Sequence, residues 1–174
     1  MGEPTIDTIR VLVDWKCNLR CGYCCNEQER FRKDIEPVGL YDINFENYRT
    51  CCITGGEPLL FMRRVEEVAI LAHSSGCMNV LYTNGIYLNA PVAQVLESWN
   101  VDAVNVGLHV PQMFDKIIRE VTAATRGTSL KVRFHAQDIH ESNGLALAHP
   151  GAVFRFWKMD DCERANERRV VLSK

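Results

Sequence analysis

The chain has 174 residues, long enough for one hydrophobic core. Apolar residues make up 47%, charged residues 24%, and the formal net charge is −2, an ordinary globular composition that calls for no polyanionic partner. No run approaches the roughly 18 consecutive apolar residues of a membrane span, and "MGEPTIDTIRVLVDW" lacks the pattern of a secretory signal. The expected location is therefore cytoplasmic, where disulfides are uncommon.

In chain order, "TIRVLVD" is a β-branched strand ending just before the cysteines of "WKCNLRCGYCC". Residues 26–50 read as polar and irregular, with one helical turn around Phe45 to Tyr48. "CCIT" is a short strand that stops at "GGEP". "RRVEEVAILAHSSG" reads as a helix with Val65, Val68, Ala69 and Ala72 on one stripe and Gly76 as its C-cap. "MNVLYTNG" is a strand ending in a turn, and "PVAQVLESW" a helix with Val92, Val95, Leu96 and Trp99 at helical spacing. Next come the strand "VDAVNVGLH", the helix "MFDKIIREVTAAT" with Met113, Ile117 and Val121 on one side, and the strands "LKVRFHAQ" and "AVFRFW".

Strands alternating with helices across short loops imply βα units and a parallel sheet. Six strands are expected, at about Thr8, Cys52, Leu81, Val104, Val132 and Phe154. A closed eight-unit barrel takes about 250 residues, so the expectation is an α/β partial (β/α)6-like TIM barrel with helices outside. It forms one core domain over 1–174, with a cysteine loop at 15–25 and a C-terminal tail from about 160 to 174. Chemistry belongs at the C-terminal strand ends. The unusual residues fall there: the cysteines after the first strand, "GGEP" after the second, "TNG" after the third, and His109 closing the fourth.

Cys17, Cys21 and Cys24 are spaced C-x-x-x-C-x-x-C, three soft ligands suited to zinc or an iron–sulfur cluster. A closed zinc site needs a fourth ligand, and the sequence offers no second C-x-x-C or His pair. Cys51, Cys52 and Cys77 lie in apolar surroundings and read as packing residues. Within each strand side chains alternate. Lys131, Arg133, His135 and Gln137 therefore share one face, as do Asn105, Gly107 and His109, with Val104, Val106, Leu108, Val132 and Phe134 turned to the helices. Charges inside a barrel are costly unless paired or bound, so the polar face reads as a cavity or an internal ion-pair network. As a cavity, it would use Arg133 and Arg155, with Lys131, to meet an anionic substrate group.

"CNLRCGYC" resembles the signature loop of the radical S-adenosylmethionine (radical SAM) superfamily. "TGGEPLL", "YTNG" and "FDKIIREV…LKVRFHAQ" extend the resemblance over about Ile9 to Met159. The resemblance implies one four-iron, four-sulfur (4Fe-4S) cluster on Cys17, Cys21 and Cys24, with Tyr23 as the aromatic before the third ligand. Its open iron would take S-adenosyl-L-methionine beside Gly55, Gly56, Glu57 and Pro58, with Thr83, Asn84, Asn105, His109 and His135 as further cofactor contacts. It further implies oxygen-sensitive reductive cleavage of the cofactor to a 5′-deoxyadenosyl radical that takes hydrogen from a substrate, and a small electron donor such as flavodoxin or ferredoxin. The expected substrate is a small molecule, nucleotide or nucleoside. The alternatives are a glycyl-radical-enzyme activating protein, whose substrate is itself a protein, a peptide-modifying enzyme, and a non-catalytic cluster-binding scaffold. The chain departs from the family pattern at "GLH", where a Ser-x-Asp-like ending is usual.

Overall fold

The computed structural model describes residues 7–33, 35–136, 139–156 and 167–173. In chain order the elements are β1 (Thr8–Leu12), α1 (Glu29–Arg32), β2 (Glu36–Val38), β3 (Thr50–Thr54), α2 (Met62–Ser74), β4 (Met78–Thr83) and α3 (Ala90–Ser98). They continue with β5 (Ala103–Gly107), α4 (Phe114–Ala124), β6 (Lys131–Ala136), α5 (Ile139–Ala148), β7 (Phe154–Phe156) and β8 (Glu167–Leu172). All described strands join one sheet of order β2-β8-β1-β3-β4-β5-β6-β7, and every pairing is parallel. The sheet is not closed. Six of its strands are the expected ones.

Two strands go beyond the expectation. β8 lies in the segment that reads as a tail, and it pairs with β1 on one side and β2 on the other. Its Val170 is fully buried and Leu172 nearly so, which is the packing that holds this segment against the sheet. β2 is three residues long and largely exposed, too short for alternation to announce it. The described residues between β1 and β3 are otherwise built of α1 and short 3-10 turns, one at Phe45–Asn47 where the sequence predicts a helical turn.

Alternation separates the two faces as the sequence predicts. Ile9, Val11, Cys51, Ile53, Leu81, Val104, Val106 and Phe134 are buried in the main core against the helices. α2 supplies Val65, Val68, Ala69 and Ala72 to that core, each 0% exposed. α4 supplies Ile117, Ile118 and Val121. α3 corrects one expectation: its buried residues are Ala93 and Leu96, whereas Val95 is exposed. Ala93 and Leu96 are three apart and face the same way, and Val95 sits about 100° round the helix from Leu96. The second apolar cluster, Cys52, Val80 and Ala103 with Tyr82 against it, lies on the opposite, inner face. No described helix is long and apolar enough to cross a membrane.

Candidate active site at the C-terminal strand ends

The cysteine loop is stitched to the turn after β3 by backbone. Val13 N–H donates to Thr54 O, Gly56 N–H to Asp14 O and Glu57 N–H to Lys16 O, each at 2.9 Å. The Asn26 side chain donates to the Gly55 carbonyl, and Arg64 of α2 donates to Val13 O at 2.6 Å. This stitching explains both glycines. Gly55 has φ +142°, and a Cβ on it would overlap Asp14 O. A Cβ on Gly56 would overlap Lys16 O and stand 2.6 Å from Trp15 O. What presses on this pair is the loop that carries the thiols.

Glu57 is engaged within the protein. It is 1% exposed, and its carboxylate accepts from Thr83 Oγ1 at 2.7 Å, Asn84 N–H at 2.9 Å and Leu59 N–H at 3.0 Å. Burial raises its carboxyl above the ordinary range, opposed by those three donors. Glu57 clamps the turn after β4 to the turn after β3. Thr83 and Asn84 are likewise engaged: Thr83 Oγ1 accepts from Gly85 N–H, while Asn84 Nδ2 donates to Asn18 Oδ1 at 2.7 Å. Pro58 is buried at the head of a 3-10 turn that leads into α2.

Tyr23 and His109, predicted separately, meet. The Tyr23 hydroxyl donates to His109 O at 3.0 Å and lies 3.2 Å from His109 Nδ1, with ring centroids 5.9 Å apart. His109 folds over Gly107, where a Cβ would overlap Nε2 and stand 2.9 Å from Cε1. The glycine of "GLH" is what leaves room for that ring. Burial holds His109 below the ordinary histidine range, favouring the neutral form. Tyr23 is pushed up to about 12 by burial and by its neighbour Cys21.

Cys17, Cys21 and Cys24 lie in no disulfide and are exposed or half-buried. Burial raises the Cys21 thiol, and its neighbours Cys24 and then Cys17 raise it further. All three lie on the loop that follows β1. Among the described residues no group of three His, Cys, Asp or Glu side chains stands at metal-binding geometry. Three thiols on one loop, held against a turn where a Cβ on Gly56 would overlap backbone, suit a cluster bound at three corners.

On the inner face, strand register forms rows. Arg169, Arg10, Cys52, Val80, Ala103 and Lys131 stand side by side across β8, β1, β3, β4, β5 and β6. One step toward the strand ends come Tyr82, Asn105 and Arg133, and then Gly107, His135 and Arg155. Arg10 is ion-paired with Glu167 of β8, and its guanidinium carbon lies 4.7 Å over the Tyr82 ring. The His135 ring stands edge-on to Tyr82 at 6.2 Å. Gln137 and Cys162 lie outside the described residues.

Asn18, Asn26, Arg64, Arg10 and Tyr82 are site residues that sequence reasoning misses. Alternation within "TIRVLVD" puts Arg10 opposite Ile9 and Val11, which is a signal for the inner face. Nothing local marks Asn18 or Asn26 as partners of turns sixty-six and twenty-nine residues away.

A family model described as the Radical SAM superfamily matches residues 16–136. Among curated proteins, the chain is similar to the GTP 3′,8-cyclase of Trichormus variabilis, 30% identical over 128 residues covering 65% of this chain and 38% of that protein. It is also similar to the GTP 3′,8-cyclase of Campylobacter fetus subsp. fetus, 31% identical over an alignment of 195 positions covering 97% of this chain and 60% of that protein. The chain thus spans between 38% and 60% of the length of these two relatives. Among solved structures, BtrN in complex with AdoMet and 2-DOIA superposes with TM-score 0.54 at 16% identity, covering 88% of this chain and 70% of that one. Streptococcus suis SuiB bound to S-adenosylmethionine gives 0.55 at 14%, covering 88% and 38%. Those two likenesses concern the fold. With the family model spanning the cysteine loop, both glycine-bearing turns and β6, the chain belongs to the radical SAM superfamily.

Proposed function

We propose that this chain binds a 4Fe-4S cluster through Cys17, Cys21 and Cys24, cleaves S-adenosylmethionine reductively, and acts on a small anionic substrate of the nucleotide class. When bound, the cluster and S-adenosylmethionine supply a one-electron bond cleavage and the hydrogen-atom abstraction that follows, chemistry that belongs to the cofactors. The residues of this chain position them. The observation that carries the reading is the double backbone stitch from Asp14 and Lys16 to Gly56 and Glu57, which fixes the thiol loop beside the glycine turn.

Glu57 holds that turn and the Thr83–Asn84 turn together. Tyr23 ties the loop to the end of β5 through His109. Lys131, Arg133 and Arg155 share the inner face, which supports an anionic substrate. The curated relatives named as acting on GTP support a nucleotide in particular. A small electron donor, flavodoxin or ferredoxin, completes the reaction, and a cytoplasmic location fits thiols that must stay reduced.

The test is anaerobic reconstitution followed by an assay for 5′-deoxyadenosine after adding S-adenosylmethionine and a strong reductant. About four irons per chain and measurable product are expected, with both lost in Cys17→Ala, Cys21→Ala and Cys24→Ala. A full cluster with no product would move the reading to a scaffold. Stable capture of a large glycyl-radical protein would move it to an activating enzyme.

A further inference from the structure

We propose that the inner face between β4 and β6 is a nucleotide pocket in which the Asn105 carboxamide reads the base edge and Lys131, Arg133 and Arg155 hold the phosphates. This deepens the functional reading above and rests on it for the substrate class.

Asn105 carries the inference. Its strand neighbours Val104 and Val106 are in the core against the helices, while Ala103 belongs to the inner cluster with Cys52 and Val80. Alternation therefore turns Asn105 inward. It is 6% exposed, and its Oδ1 is buried without a hydrogen-bond partner among the described residues. Buried amides are nearly always satisfied, because leaving one unpaired costs the lost hydration with no return. A carboxamide presents an acceptor and a donor side by side, which matches the adjacent polar atoms on a base edge. The family resemblance points this position at the cofactor instead. Yet it lies within β5, two residues before its end at Gly107 and four before His109, to which Tyr23 ties the cysteine loop.

Its neighbours supply the rest of a pocket. Tyr82 stands beside it in register on β4, with its ring fixed by Arg10 and by the edge of His135. Arg133 stands beside it on β6. Among the described residues, Lys131, Arg133, Arg155 and Arg169 have no ion-pair partner, and Glu167 is already taken by Arg10. Cations placed together with no ion-pair partner among the described residues make a local anion site. A base edge on Asn105 with phosphates toward the arginines satisfies both unmatched features with one molecule.

The full chain, purified anaerobically with its cluster, is titrated by equilibrium dialysis with GTP, inorganic triphosphate and S-adenosylmethionine. Asn105→Leu is expected to weaken GTP about tenfold, the worth of one buried hydrogen bond, while triphosphate and S-adenosylmethionine bind as before. The same variant should melt at a higher temperature than wild type without ligand, because it removes an unpaired buried amide. Arg133→Gln should weaken GTP and triphosphate together. Absence of GTP binding, an unchanged GTP affinity in Asn105→Leu, or a loss confined to S-adenosylmethionine would overturn the proposal. A lower melting temperature in both Asn105→Leu and Asn105→Ala would assign Asn105 to the scaffold and overturn it equally.

Discussion

At Gly56 an added methyl would overlap a backbone oxygen that cannot swing aside. Gly56→Ala should therefore push the cysteine loop off the turn, at a cost of about 3 kcal/mol in stability and with loss of iron, checked by melting and metal analysis. Glu57→Ala strands three buried donors and should cost about as much. Glu57→Gln gives a pH signature. Burial raises the folded-state pKa of Glu57 above its unfolded value, so the native protein holds that proton more tightly. The native advantage is present below the unfolded value of 4.5 and is lost as pH rises through the folded pKa. The amide of the variant does not titrate, so wild type should lose ground to Glu57→Gln as pH rises through that window, read by urea melts at several pH values. "GGEP" is legible as a special turn because its glycine pair stops a β-branched run and is followed at once by proline. That its glutamate faces inward to "TN" is not, since the partner lies twenty-seven residues away.

Among the elements, the strands with strong alternation are legible and the short or late-pairing ones are not. β6 announces its faces through Val132 and Phe134, and the burial of Phe134 at 1% agrees. β8 does not, because "ERRVVL" opens with three charged residues and its pairing is set by β1, with Arg10 lying 157 positions from its partner Glu167. The role of β8 can be tested through that ion pair, whose carboxylate side chain is 5% exposed. Glu167→Ala leaves Arg10 partly buried without its acid and should cost about 2 kcal/mol. The double change Arg10→Met with Glu167→Leu should recover most of that loss, and a double-mutant cycle reads the coupling directly. On α3 the stripe read from sequence takes in Val95 and passes over Ala93, because a valine carries more hydrophobic weight than an alanine in any count by residue type.

For the whole molecule, one parallel sheet sets every distance that matters. It places its helices on one face, Lys131, Arg133 and Arg155 on the other, and three turns at a common end. Anion binding on the inner face should weaken steeply with salt, since Lys131 and Arg155 are exposed and screened. Raising ionic strength from about 0.05 to 0.5 M should reduce GTP affinity several-fold and leave S-adenosylmethionine affinity nearly unchanged.

The claim on which the rest depends is that three cysteines, and no fourth side chain, hold the iron centre. The direct measurement is electron paramagnetic resonance of the dithionite-reduced protein before and after adding S-adenosylmethionine. The expected result is a four-iron signal that shifts on addition, because an open iron takes the cofactor. A protein made without oxygen that carries zinc in place of iron, or a four-iron signal indifferent to S-adenosylmethionine, would contradict it.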